Sequence, residues 1–308
     1  PEKVAKICHI DAEDLRKAAI MYAKADMAPI IYCLGVTEHS TGTEGVMSMS
    51  NMAMLVGKLG REGCGVNPIR GQNNVQGACD MGAMPTDFPG YQKVDNPEVL
   101  AKFENAWGIK LNPKPGIKAT EVFPAAIKGD IKGLYIFGED PVVTDADTNH
   151  IIKALESLDF LVMNELFMTE TAQYADVILP GVSYAEKEGT FSNTERRVQR
   201  VRKAVELEGE MRLDTDIFTD IMNRMGYPQP HLTSAEIMDE VASLTPSFAG
   251  ISHKRLDEVG SLQWPCPSKD HPGTPILHVG KFARGLGYFY PAKYVPSAEL
   301  PDAEYTYI

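Results

Sequence analysis

The chain has 308 residues, 44% hydrophobic and 23% charged, with a formal net charge of −12. That length suits about two domains, and the composition is that of an ordinary globular protein, not of a disordered tail. The acidity speaks against nucleic acid as a partner, because a phosphate-binding surface needs a basic face. No apolar run approaches ~20 residues, so no helical membrane span is expected, and no stretch has the pattern of a signal peptide.

In chain order, "IDAEDLRKAAIMYAKA" reads as a helix that Asp11 caps, with Asp14 in a capping-box-like position. "APIIYCLG" is a short apolar run ending in glycine, the pattern of a buried strand. The polar loop "VTEHSTGTEG" follows, then "VMSMSNMAMLVGKLG", read as a helix closed by Gly60 whose methionines Met47, Met49, Met52 and Met54 serve packing. The stretch "NPIRGQNNVQGACDMG" looks too polar for a core strand and lacks a helical period. "PTDFPGYQKVDNPEV" is turn-rich. "TEVFPAAIKGD" is helical, "IKGLYIFG" a strand, "EDPVVTDAD" a loop, "TNHIIKALESL" a helix, "DFLVMNELF" a strand, "MTETAQYA" a short helix or turn, and "DVILPG" a further strand.

Strands alternating with helices at short spacing predict an α/β fold, doubly wound, with mostly parallel sheets and flanking helices. Ligands of such sheets sit beyond the carboxyl ends of the strands. The loops expected there, "GVTEHSTG", "GEDPVVTD", "NELFMTET" and "PGVSYAEKEGTF", are all rich in hydroxyls, carboxylates and amides. After residue 182 the texture changes to a smaller mixed α+β portion. "EGTFSNTERRVQRVRKAV" reads as a hairpin or strand with a charged face, and "DTDIFTDIMNRMGYP" and "TSAEIMDEVASL" as helices. The last forty-odd residues, rich in proline, read as an extended connector.

The five cysteines, Cys8, Cys33, Cys64, Cys79 and Cys266, contain no C-x-x-C pair, which fits a reducing, cytoplasmic compartment and no disulfide framework. Neither they nor the seven scattered histidines show metal-ligand spacing, so no metal ligand is assigned to this chain. The first residue is proline, and "AELPDAEYTYI" stops on strand-like residues, which reads as a piece of a longer polypeptide.

What the polar stretch offers is chemical. Asparagine and glutamine amides each present two donors and an acceptor, and Gly71, Gly77 and Gly82 permit close backbone approach. Such a surface matches a fused pterin or purine edge, or pyrophosphate oxygens. Arg70 adds a permanent charge and a rigid fork of donors suited to a carboxylate or phosphate. A buried arginine paired with an internal acid is the other reading of the same residue.

"GVNPIRGQNNVQGACDMGAMPTDFPGYQ" closely resembles the molybdenum- or tungsten-dependent formate dehydrogenases, within the larger family of bis(molybdopterin guanine dinucleotide) oxidoreductases. The resemblance continues in order through "LGVTEHSTG", "MAMLVGKLG", "GEDPVVTDAD", "LFMTETAQYADVILPG", "EGTFSNTERRVQ", "RMGYP" and "LQWPCP", and so covers nearly the whole chain. It implies the fold of the formate dehydrogenase and DMSO reductase domains. It also implies a molybdenum or tungsten centre held by two pterins and a selenocysteine or cysteine, with a 4Fe-4S cluster nearby. The protein ligands of metal and cluster, and the catalytic histidine, lie upstream of the matching region in that family, and a final barrel-like domain lies downstream. The chain is thus expected to be the middle of a catalytic subunit, inactive by itself. Its expected partners are formate or carbon dioxide, the remaining N- and C-terminal parts of the same polypeptide, and electron-transfer subunits.

Residue by residue, the resemblance assigns Arg70 as the catalytic grip on formate, with Gln72 near the pterin and Asn73, Asn74 and Gln76 shaping the same wall. Gly35 and Glu38 fall in the first strand-end loop. Many relatives carry glutamine at the place of Glu38, and a carboxylate accepts but does not donate. Gly138, Glu139, Asp140 and Thr144 in the second loop, and Asn164, Glu165, Thr169 and Thr171 in the third, are implied to hold a guanine dinucleotide. Asp176 is either such a ligand or a strand-start residue, and Asp216 either a guanine-side aspartate or a helix cap. Arg196, Arg197, Arg200 and Arg202 form either a solvated face or a positive surface near cluster or phosphates. The implied division is 1–72, the end of a first α/β domain; 73–182, a second, nucleotide-binding one; 183–285, a small mixed domain; and 286–308, a connector. A nitrate reductase, a cofactor-free structural electron-transfer subunit of the same fold, and a plain nucleotide-binding module are the alternatives. The last would need a glycine-rich phosphate loop, and "GVTEHSTG" is a poor one.

Overall fold

In the computed structural model, which describes residues 1–297 and 299–307, the backbone separates into two units, Pro1–Asn73 with Thr274–Ile308, and Asn74–Gly273. The second unit contains the second α/β portion of the sequence-based division from Asn74 and the small mixed portion as far as Gly273, while residues 274–285 fall in the first unit.

The first unit opens with α1 (Glu2–Cys8), which the sequence reading did not anticipate, and α2 (Ala12–Lys24). Asp11 caps α2 as expected, its carboxylate accepting from Glu13 N at 2.7 Å and Asp14 N at 3.3 Å. β1 (Pro29–Tyr32) runs into the single turn α3 (Leu34–Thr37), and α4 (Gly42–Leu55) starts inside the stretch read as a loop. Helix α4 also ends five residues short of Gly60. The chain turns at Gly57 with φ +67°, and the buried Lys58 then spends its ammonium on the carbonyls of Ala25 and Asp26. β2 (Gly65–Pro68) lies parallel to β1 in the register Ile30↔Val66 and Tyr32↔Pro68. Only Asn67 and Pro68 of the stretch read as too polar for a core strand fall in β2, and none of its residues is buried: pairing of the backbone, rather than burial of side chains, fixes it. Residues 274–308 hold no helix or strand among those described, and they pack within this unit through Asn51, whose amide donates to Tyr290 O at 2.6 Å.

The second unit begins with α5 (Val75–Asp80), a short helix in the segment that lacks apolar periodicity. Its polar residues are inward-facing because they are satisfied there. The fully buried Asp80 carboxylate accepts from Gln76 Nε2 at 2.7 Å, Tyr91 OH at 2.8 Å and Trp264 Nε1 at 2.7 Å. The hairpin β3 (Asp87–Phe88) and β4 (Gln92–Lys93) leads to α6 (Pro97–Trp107), a helix missed within the turn-rich reading. Its signals are local: Asn96 accepts from Glu98 N and Val99 N, proline opens the first turn, and Gly108 closes it. Phe103 on α6 is fully buried and stacks on Phe88 at 4.3 Å.

The alternating helices and strands of the α/β reading follow. Helix α7 (Ala119–Lys128), β5 (Gly133–Phe137), the turn α8 (Pro141–Thr144), α9 (Thr148–Glu156), β6 (Phe160–Glu165), a 3-10 turn (Thr171–Tyr174) and β7 (Val177–Pro180) appear in the expected order. The three strands form a parallel sheet, β5-β6-β7. Phe123 and Ala126 from α7, Ile151 and Leu155 from α9, and Ile136, Leu161 and Met163 from the strands make one core. Each large apolar side chain buried here contributes about 1.5–3 kcal/mol.

Strands β8 (Gly189–Ser192) and β9 (Arg197–Val201) form the charged hairpin read from the sequence. The sheet continues past α10 (Asp214–Arg224), α11 (Ser234–Leu244) and α12 (His253–Val259) to β10 (Ser261–Gln263), which pairs antiparallel with β9. Val198, Met238, Phe248, Leu256 and Cys266 form the core of this part. Trp264 joins the sheet to the Asp80 network and carries Arg196 over its ring at 5.5 Å.

Candidate functional site

In the first unit, Arg70 lies two residues past the carboxyl end of β2, beside the carboxyl end of β1. The two strand ends are tied together: Ile69 N donates to Tyr32 O at 2.8 Å, and Cys33 Sγ to Ile69 O at 2.9 Å. Arg70, Gly71, Gln72 and Asn73 are exposed. Arg70 is close enough to act on Tyr32: burial pushes the Tyr32 phenol up, and the Arg70 charge opposes this. Gly35 and Glu38 belong to the same strand-end region, both exposed, with the Gly35 carbonyl 3.1 Å from His39 Nε2. Arg70 is therefore an exposed side chain at the carboxyl edge of this parallel strand pair, not an interior one.

Asn74 and Gln76 differ from that arrangement. Asn74 Oδ1 accepts from Ser192 N at 2.9 Å, and Gln76 is buried against Asp80. The second half of the polar stretch is thus a structural anchor, because its amides satisfy backbone and carboxylate groups of its own unit.

In the second unit, the residues assigned to a dinucleotide divide into two sets. Asp140 Oδ1 accepts from Thr171 N at 3.0 Å and Thr171 Oγ1 at 2.6 Å, while Val142 N donates to Thr171 Oγ1 at 3.1 Å. Asn164, only 1% exposed, donates to Leu179 O at 3.1 Å and accepts from Tyr135 OH at 3.2 Å. The side chains of Asn164 and Thr171 have no surface left for a ligand, so their assignment as cofactor contacts gives way to one as ties between the strand-end loops. Asp176 is likewise a strand-start residue, accepting from Leu161 N at 2.7 Å. Thr144 donates to Asp140 O at 3.1 Å.

The other set faces outward. Gly138 follows β5 with φ +64°, a conformation that glycine adopts without strain, and Glu139 beside it is exposed. Glu165 Oε1 accepts from Leu166 N at 2.6 Å, and Thr169 Oγ1 from Ala172 N at 3.3 Å. A Thr171→Val substitution should lower stability by about 1–3 kcal/mol, because Val142 N loses its acceptor and Asp140 keeps only the Thr171 backbone N–H of its two donors from that residue. Denaturant unfolding reads this, and an unchanged midpoint would show that the clasp carries no weight.

A cavity of about 660 Å³ opens in this unit. Phe137 from the end of β5, Phe218 from α10, and Tyr184 and Phe191 from the β7–β8 region provide aromatic surface; Asp214, Asp216, Lys187, Asn74 and Thr190 provide polar groups. Phe137 and Phe218 meet edge to face with centroids 5.6 Å apart. Asp214 pairs with Lys187. Asp216 does not cap α10: that position belongs to Leu213, and the Asp216 carboxylate accepts from His231 Nδ1 at 2.9 Å. Of the residues assigned from the sequence to the guanine dinucleotide, Asp216 alone lines this cavity, together with Asn74 and Gly77 from the polar stretch. Lys187, Asp214, Phe137 and Phe218 were missed, since only the packing of α10 beside the strand end brings them together. The doublet "DTD" at a helix start was the available signal. Aromatic faces with two carboxylates at one rim suit a planar heterocycle carrying N–H donors.

The arginine ribbon is engaged within the protein. Arg197 binds Glu195, Arg200 binds Glu188 and Asp257, and Arg202 binds Asp257. Among the described residues no group of three or more histidines, cysteines or carboxylates could hold a metal ion, and no helix is long and apolar enough to cross a membrane.

Residues 4–224 match the family model described as molybdopterin oxidoreductase. The chain is 47% identical over 312 residues to the F420-dependent formate dehydrogenase subunit alpha of Methanocaldococcus jannaschii and 50% identical over 312 residues to an F420-dependent formate dehydrogenase 2 subunit alpha of Methanococcus maripaludis. In both cases all of this chain and 46% of the relative are covered. It is 43% identical to formate dehydrogenase H of Escherichia coli, over 99% of this chain and 43% of that protein. The chain therefore spans about half the length of the curated relatives it matches. Among solved structures, acetylene hydratase from Pelobacter acetylenicus superposes with a TM-score of 0.62 at 20% identity, covering 85% of this chain and 38% of the other, a likeness of fold alone. With the parallel strands, their polar edges and these matches together, the chain belongs to the molybdopterin oxidoreductase family.

Proposed function

We propose that the chain is the central part of the catalytic subunit of a formate dehydrogenase, interconverting formate and carbon dioxide in the cytoplasm. The observation that carries this reading is the exposed Arg70 at the carboxyl ends of β1 and β2, within a chain 43–50% identical to proteins named formate dehydrogenase. A guanidinium holds both oxygens of a one-carbon carboxylate, fixing its orientation and so the direction of its C–H bond. Carbon dioxide carries no charge, so the same grip loosens on the product. Gln72, Gly35 and Glu38 would border the pterin from this unit.

In the other unit, the aromatic and acidic cavity fits the guanine end of a molybdopterin guanine dinucleotide, and this fit supports that form of the cofactor. Asp216 would accept from the N–H edge of guanine, with the Phe137 and Phe218 rings beside it in the same cavity. Gly138, Glu139, Thr144, Glu165 and Thr169 would border its ribose and phosphates at the strand ends. When bound, the pterin-held molybdenum or tungsten supplies the acceptor for two electrons, and a 4Fe-4S cluster and further subunits would carry them onward. The ligands of both metals are assigned to the remainder of the polypeptide.

Metal analysis and pterin fluorescence on the anaerobically purified full-length polypeptide, with formate-dependent reduction of a dye, test this reading. Molybdenum or tungsten, a pterin signal and turnover are expected, with no turnover from the 308-residue chain by itself. A full-length protein devoid of pterin would return the fold to a structural electron-transfer role. One that reduces nitrate but ignores formate would change the substrate.

A further inference from the structure

His231, in the connection between α10 and α11, is a charged-group bridge whose role the proposed reaction has not used. Its Nδ1 lies 2.9 Å from Asp216 Oδ1 and its Nε2 3.2 Å from Asp220 Oδ1. The two aspartates are one helical turn apart on α10, so one rigid five-membered ring spans them. Asp220 is itself anchored, its Oδ2 2.8 Å from the Arg212 guanidinium. The hydrogen bond from Arg212 holds the Asp220 carboxyl below the usual range, helped by the charges of Arg212, His231 and Arg224. The order of contact is thus Arg212, Asp220, His231, Asp216. Of these four, only Asp216 lines the aromatic cavity, and Leu232, Thr233 and Ser234, directly after His231, line it too.

A half-exposed aspartate at a cavity rim turns freely about its side-chain torsions unless something holds it. Here one oxygen is held and the other is left for a ligand. We propose that His231 is a positioning residue: braced on Asp220 through Nε2, it holds Asp216 through Nδ1 so that the second Asp216 oxygen meets the N–H edge of a guanine ring in the cavity. This rests on the reading of the cavity as a guanine site. It adds the reason that guanine is taken over adenine. Held in one rotamer, that second oxygen accepts from the N1–H and C2-amine edge of guanine, donors that adenine lacks at those positions, whereas a mobile carboxylate discriminates poorly.

The chemistry of the two ring nitrogens supplies a test that a merely structural role would not satisfy. Asparagine places an amide nitrogen near the Nδ1 position, and glutamine places one near Nε2. Binding of guanosine diphosphate and of adenosine diphosphate to the 308-residue chain is measured by calorimetry. The wild type should prefer the guanine nucleotide. His231→Ala should weaken that binding roughly three- to tenfold, the size expected for one partly exposed hydrogen bond to a charged group, and leave adenosine diphosphate unchanged. His231→Asn should recover most of the preference and His231→Gln should not. In an Asp216→Asn background, His231→Ala should cost nothing further. If the wild type prefers guanine and His231→Ala keeps the same preference, or if the loss persists in full on the Asp216→Asn background, the positioning role is refuted and the guanine site stands. If the wild type shows no preference for guanine, the site reading fails and takes this inference with it.

Discussion

Arg70→Lys in the full-length polypeptide lowers formate oxidation roughly 100- to 1000-fold, the range found when one donor aimed at reacting oxygens is removed. The argument is geometric. Formate is planar with two equivalent oxygens, and a guanidinium meets both with parallel N–H donors from one plane. An ammonium keeps the charge but binds as a point, so the substrate still enters while its C–H bond points in many directions. The defect therefore falls on kcat more than on KM. Because Arg70 is exposed at the end of β2, its substitution leaves the unfolding midpoint nearly unchanged. Steady-state formate kinetics with a dye acceptor decide the matter. Retained turnover in the lysine variant would remove the bidentate grip, and with it the main physical support for formate as substrate.

Asp80→Asn should destabilise the second unit by about 3–5 kcal/mol, the cost of breaking a buried charged network by altering one partner. Donors meet both carboxylate oxygens of Asp80: Gln76 and Tyr91 on Oδ1, Trp264 on Oδ2. An asparagine must turn its amide donor toward one of these donors, leaving both unsatisfied. The buried Arg196 guanidinium also loses the negative charge that offsets its own desolvation. The same carboxylate sets a pH dependence. Burial pushes the Asp80 carboxyl up, against hydrogen bonds from Gln76, Tyr91, Trp264 and Ser192 that pull it down. A folded-state value above the unfolded one, ~3.9, means that the native state binds more protons in the interval between them. The contribution of Asp80 to stability therefore falls as pH rises through that interval, and stays at its lower level above it. Thermal unfolding of wild type and Asp80→Asn across acidic pH measures this. The difference between them should shrink as pH rises through the interval, and a difference that grows would reverse the assigned direction.

The parallel sheet β5-β6-β7 and its helices were legible because each element carries its own signal: apolar runs of strand length, helical periodicity and a cap. Asp11 before α2 and Thr233 before α11 are local features, and local chemistry realised them. Helix α6 had equally local signals in Asn96, Pro97 and Gly108, but the surrounding turn residues masked them. The polar strand β2 and the short helix α5 had no such signal. Their side chains are satisfied by partners distant in sequence, Trp264 lying 184 residues from Asp80.

The candidate site divides along the same line. The loops after β1 and β5 were legible as strand ends from the residues themselves, whereas Arg70 is placed at one only by the pairing of β2 with β1. Which carboxylate faces a cavity did not follow. Asp140, Asn164, Thr171 and Asp216 look alike as polar residues assigned to the dinucleotide, yet the first three are consumed by neighbouring loops and strands and of the four only Asp216 reaches the aromatic cavity. The amino-acid sequence by itself determined the order of strands and helices from α7 to β7, the family and the residue types at the sheet edge. Tertiary structure decided which of those residues spend their hydrogen bonds on the protein and which stay exposed. That choice depends on which groups are brought within about 3 Å of one another, a distance fixed by packing and not by spacing along the chain.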